Sequence, residues 1–138
     1  MKNYEMISHT ADIGILVRGK DLKSLFTNAG EALIDILTDR RKIALKETIN
    51  ITVNAERLDD LMNYWLSELL QHLTVKGKLL TRFEIDSISE NKIVARVQGE
   101  PYDEKKHQIK TEIKAVTFHD LFVRQENNRW VAQVIFDV

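Results

Sequence analysis

Four groups of residues in this chain have the types and spacing to do chemistry. The first is Ser8-His9-Thr10-Ala11-Asp12-Ile13-Gly14-Ile15, where a histidine and an aspartate stand three residues apart between apolar segments. A His/Asp pair suggests a base and its orienting acid, so nucleophilic catalysis is the first reading to weigh. Ser8 and Thr10 flank His9, but sequence neighbours in a strand point to opposite faces. No G-x-S-x-G elbow is present to expose a serine at a strand-to-helix turn. His72 falls on the polar edge of a predicted helix, His107 in a charged loop, and His119 beside Asp120 between strands, so the histidines do not assemble. No H-x-x-x-H or H-E-x-x-H pair offers zinc a helical face, and without cysteine a zinc site would need histidines from distant loops.

The second group is the end of the sequence, Val134-Ile135-Phe136-Asp137-Val138. An apolar strand running to an acid and then to a terminal carboxylate is unusual, because termini fray unless tied down. If this strand pairs with the strand after Asp12, then Asp12, Asp137 and the Val138 carboxylate converge. Like-charged carboxylates need a cation or a lysine beside them, and oxygen-only donors suit calcium or magnesium rather than zinc. The same spacing is also compatible with Asp12 as a turn residue and Asp137 as a solvated tail. The third candidate is Lys114, within Glu112-Ile113-Lys114-Ala115-Val116, which faces either water or these acids. The fourth is a weak basic patch, Lys105-Lys106-His107 with Lys110 and Lys114, which Glu104 and Glu112 dilute.

The elements that must position these residues follow from hydrophobic periodicity. Tyr4–Ile7 and Ile13–Arg18 read as strands around the turn at 9–12. From Asp21, a good N-cap, Leu22, Leu25, Phe26, Ala29, Ala32, Leu33, Ile36 and Leu37 form one face of a helix over 21–38. Ile49–Val53 alternates as a strand. A second helix runs through Leu58, Leu61, Met62, Trp65, Leu66, Leu69, Leu70 and Leu73. Its opposite face carries Arg57, Asp59, Asp60, Asn63, Ser67, Glu68 and Gln71, and Gly77 reverses the chain beyond it. The remainder reads as strands at about 82–88, 92–99, 110–116, 120–125 and 130–136, with turns at 89–92 and 126–129. The stretch Gly99-Glu100-Pro101-Tyr102-Asp103 reads as the least regular loop. Two amphipathic helices among mainly antiparallel strands predict a two-layer α+β domain spanning 1–138.

Composition narrows the function. The 138 residues suffice for one core, and 43% hydrophobic with 30% charged residues is the balance of a soluble globular protein. A net charge of −1 argues against strong direct binding of nucleic acid, which calls for a basic excess. The absence of cysteine fits a reducing compartment. Met1–Glu5 does not read as a signal peptide, and no apolar run approaches the roughly 18 residues of a membrane span. The expectation is a cytoplasmic protein without membrane contact.

Five stretches in order, "SHTADIGI", "NYWLSELL", "GEPYD", "EIKAVTFH" and "WVAQVIFDV", make the whole chain resemble the archease family. The resemblance implies the same α+β fold and an accessory rather than catalytic role in tRNA processing. Archeases activate the RNA-splicing ligase of tRNA splicing, promoting guanylylation of its histidine and multiple turnover. One archease was also linked to a tRNA methyltransferase as a chaperone-like modulator. The family's metal-binding acids correspond to Asp12 and Asp137, with Val138 contributing to a bound calcium; magnesium or manganese would suit the same donors. Its functional lysine corresponds to Lys114. His9 matches the family's motif histidine and, with Gly14, is expected to shape the turn and strand that present Asp12.

Overall fold

The computed structural model describes residues 3–9 and 12–138. Residues 10 and 11, in the predicted 9–12 turn, lie outside the described residues. The elements run β1 (Tyr4–His9), β2 (Asp12–Gly19), α1 (Leu22–Leu37), a short 3₁₀ turn (Arg40–Lys42), β3 (Glu47–Asn54), α2 (Leu58–Thr74), β4 (Lys78–Ile88), β5 (Lys92–Pro101), β6 (Ala115–Val116), β7 (Phe122–Glu126) and β8 (Arg129–Asp137). Among the described residues the strands form two antiparallel sheets. One is ordered β1-β2-β8-β6, with β7 also on β8; the other is β3-β5-β4.

Helix α1 begins where predicted, because Asp21 Oδ1 accepts the Ser24 N–H at 2.7 Å. That bond holds the Asp21 carboxyl below its usual value. The apolar stripe of α1 packs on β2 in one sheet and β4 in the other, and α2 lies beside it. Trp65 joins the layers: its indole N–H donates to Phe26 O at 3.0 Å, and its ring meets Phe83 edge-on at 6.0 Å. Gly30 makes room for that arrangement, since a Cβ there would sit 3.1 Å from the Phe83 ring.

The structure corrects several expectations. The strand expected over 110–116 shrinks to Ala115–Val116, and 102–114 is an irregular strap. Gly99–Pro101 is not loop but the end of β5. Gly99 is required there because a Cβ would fall 1.8 Å from Leu79 O, beside the register shift between Leu80 and Arg82. Two residues on the polar side of the predicted second helix are buried, Asn63 at 3% and His72 at 5% exposure. Asn63 donates to Val116 O and Thr117 O, both at 3.1 Å, so the polar face of α2 is a docking face for β6. Asp59 does the same for β7, accepting the Val123 N–H at 2.9 Å. Gly77 reverses the chain at φ +65°, and Asn127 and Asn128 at φ 51° and 64° make the β7–β8 hairpin turn.

Candidate functional site

The geometry at one end of the larger sheet follows from alternation along β2 and β8. Ile15 and Val17 of β2, with Ala132, Val134 and Phe136 of β8, are buried in the core. Register pairs Ile13 with Phe136, Ile15 with Val134 and Val17 with Ala132. A slip of one residue would turn these side chains to the other face, so the pairing is fixed. It sets Asp12 directly opposite Asp137. Side chains of directly opposed residues share a face, with Cβ atoms about 4.5–5.5 Å apart. Asp137 also pairs with Ala115 of β6, and its carbonyl accepts the Lys114 N–H at 2.8 Å.

Three residues singled out in the sequence, Asp12, Asp137 and Lys114, therefore meet at one sheet end, with Val138 next to them. Lys114 and Asp137 are exposed, and Asp12 is half-buried. The Val138 side chain packs against the core, which ties down the strand end. His9 closes β1 and pairs with Asp12 through the backbone. Gly14 lies inside β2, paired with Ile7 and Ile135, rather than in a turn. A Cβ there would sit 2.9 Å from Ile135 Cδ1 and 3.1 Å from Ile7 Cβ, so the glycine allows close side-chain approach over the strand.

Among the described residues no three His, Cys, Asp or Glu side chains gather into a metal cluster. The candidate donor set is narrower: the two cross-strand aspartates, Asp12 and Asp137, with Val138 beside them. These are all oxygen donors, and they fit a hard divalent cation rather than zinc. His119 is not part of it; it is 60% exposed and lies 3.2 Å from the equally exposed Asp120.

Sequence reading missed a second polar centre. Glu100 is 3% exposed and His107 2%. Glu100 Oε2 accepts from Ala44 N at 2.7 Å, Lys106 Nζ at 2.6 Å and His107 Nε2 at 2.9 Å. Lys46 Nζ approaches the other oxygen at 3.6 Å. The Lys106 ammonium and then the Ala44 amide hold the Glu100 carboxyl at about 2. The only signal in the sequence is an acid between Gly99 and Pro101 with Lys106-His107 downstream, and the apparent loop character of that stretch hid it.

Comparison with known proteins fits this architecture. Residues 4–138 match the family described as "Archease protein family (MTH1598/TM1083)". The protein archease of Methanopyrus kandleri is 33% identical over 138 residues, covering 98% of this chain and 99% of the relative. That of Pyrococcus furiosus is 36% identical over 142 residues, covering all of both chains. The solution structure of Methanobacterium thermoautotrophicum protein 1598 superposes with a TM-score of 0.82 at 31% identity, covering 100% of each chain. The crystal structure of a Thermotoga maritima archease, described as a "possible chaperone", shares the fold with a TM-score of 0.67 at 24% identity, covering 97% and 96%.

Proposed function

Because the chain belongs to the archease family, we propose that it is a non-catalytic accessory protein that activates an RNA-splicing ligase in tRNA splicing and RNA repair. It promotes guanylylation of the ligase histidine and repeated turnover. The observation that carries this reading is the juxtaposition of Asp12, Asp137 and Lys114 at one exposed sheet end. Asp12, Asp137 and the Val138 carboxylate hold a divalent cation, calcium by family likeness, with magnesium or manganese as chemical equivalents. When bound, the cation neutralises phosphate charge, which nucleotidyl transfer chiefly requires. Lys114 adds a compact point charge suited to phosphate. The aspartates orient the end of the sheet towards the ligase cleft, and the ligase supplies the nucleophile and the grip on RNA.

The test is single-turnover guanylylation of the ligase with wild-type protein and with Asp12→Ala, Asp137→Ala and Lys114→Ala. Loss of most of the stimulation in each variant, with the fold intact by circular dichroism, is expected. Full stimulation by all three would overturn the reading.

A second reading is a chaperone-like modulator of a tRNA methyltransferase, and one surface feature offers it, as it would the ligase, a place to dock. Tyr64 and Phe118 are 42% and 56% exposed and pack edge-to-face at 6.2 Å, an aromatic pair suited to protein contact. Co-purification with the methyltransferase but not the ligase would select it.

A further inference from the structure

The strap 102–114 carries Lys114 at its end, and its length is near the upper end, about 12–15 residues, for irregular connections in compact domains, so something must fix its path. Its path is set at the start. His107 Nδ1 accepts the Asp103 N–H at 3.0 Å, so Nε2 bears the ring proton and donates to Glu100. The ring is fully buried and stacks on Tyr102 at 6.0 Å and 28°. One carboxylate thereby gathers three segments: the end of β5, the strap through Lys106 and His107, and the 44–46 approach to β3.

Downstream, the strap crosses the end of α1. Thr38 Oγ1 donates to Gln108 O at 2.6 Å, and the Lys110 N–H donates to Leu37 O at 2.8 Å. Ile113 enters the core, and the next residue donates its N–H to Asp137 O. We infer that Glu100 and His107 are positioning residues for Lys114: they fix the entry of the strap, so that its exit lies against Asp137. A buried ionised carboxylate serves this end because it holds only while every donor stays in place. Removing one donor weakens the compensation of a charge that has little access to water. The functional half of this inference rests on the role proposed for Lys114; the structural half does not.

Two readouts separate the halves. Amide exchange by NMR compares wild-type protein with Glu100→Gln and His107→Gln, and with the milder Lys106→Met should either fail to fold. Expected is a tenfold or greater loss of protection at Lys114 and across the strap, with β2 and the centre of β8 unchanged. Unchanged protection at Lys114, or a uniform loss throughout the chain, would overturn the inference. Ligase guanylylation is then measured for Glu100→Gln, Lys114→Ala and the double variant. The inference requires the double variant to be no worse than Lys114→Ala alone; additive losses would overturn it. If Lys114→Ala stimulates fully, the function proposed for Lys114 fails, and the exchange data alone decide whether Glu100 and His107 position the strap.

Discussion

A carboxylate with three hydrogen-bond donors, a second lysine 3.6 Å away and almost no contact with water makes a pH-dependent contribution to stability. The Glu100 carboxyl falls from an ordinary 4.5 to about 2 on folding. A depressed acid contributes stability above its unfolded value, and that contribution is lost as pH falls through the folded one. Acid unfolding should therefore steepen between about pH 4.5 and 2, with Glu100 contributing on the order of 2–3 kcal/mol. Urea titrations of wild type and Glu100→Gln across that window check this; parallel stability curves would refute it. His72 acts in a different window. Burial pushes its imidazole below the ordinary 6.5, although Glu68 at 3.4 Å partly offsets this. Its Nδ1 has no hydrogen-bond partner among the described residues. As pH drops below about 6.5 the unfolded chain gains a proton that the folded chain resists, so stability falls. In His72→Leu that decline should vanish, which a series of melting temperatures from pH 7.5 to 5.5 would detect.

At the level of elements, polar side chains on α2 do work that periodicity does not reveal. Asn63 satisfies two carbonyls where β6 ends, and its own Oδ1 accepts from Ser67 at 3.0 Å. Asn63→Leu keeps the branching and the number of heavy atoms but strands those acceptors, at a cost of about 1–3 kcal/mol. Loss of protection should begin at Val116 and Thr117, and a thermal midpoint equal to wild type would argue that water replaces the amide. The β7–β8 turn gives the opposite expectation. Asn128 at φ 64° occupies a conformation that glycine adopts without strain. Asn128→Gly should change stability by less than about 1 kcal/mol, because relief of the left-handed conformation is offset by the freedom glycine gives the unfolded chain, and Asn128→Val should lower it. These cases mark what the sequence could and could not disclose. Both helices, the cap at Asp21 and the turn at Gly77 were legible because each follows from local periodicity or backbone conformation. Asn63 and His72 were misplaced because a polar residue at the margin of a helical stripe looks the same whether it meets water or another element. Within the strap, 110–116 reads as a strand because Glu112-Ile113-Lys114-Ala115 alternates polar and apolar residues, although only Ala115–Val116 forms one.

Across the whole molecule, the feature that sequence alone left open is closure of the second strand on the last. Spacing made the meeting of Asp12 and Asp137 conditional on β2 pairing with β8. That pairing depends on long-range register, which no local window contains, and it is now given residue by residue. The consequence is a stability that depends on cations. Two carboxylates directly opposed across strands destabilise by up to about 1 kcal/mol, whereas a ligand held only by the folded chain stabilises by about 2.7 kcal/mol at a hundredfold excess over its dissociation constant. The proposed cation site therefore predicts that calcium raises the melting temperature of wild-type protein by several degrees. Asp137→Asn should melt at or above wild type in chelator and below it in saturating calcium, so the two curves cross. Appending Gly-Ser after Val138 displaces the carboxylate from that position and should shrink the calcium response while leaving the chelator value unchanged. Differential scanning calorimetry of the three proteins with EDTA, calcium and magnesium decides the matter. Equal shifts in all three would place any bound cation elsewhere on the molecule. A shift confined to wild type and the extended chain would keep the two aspartates as ligands and remove Val138 from the set.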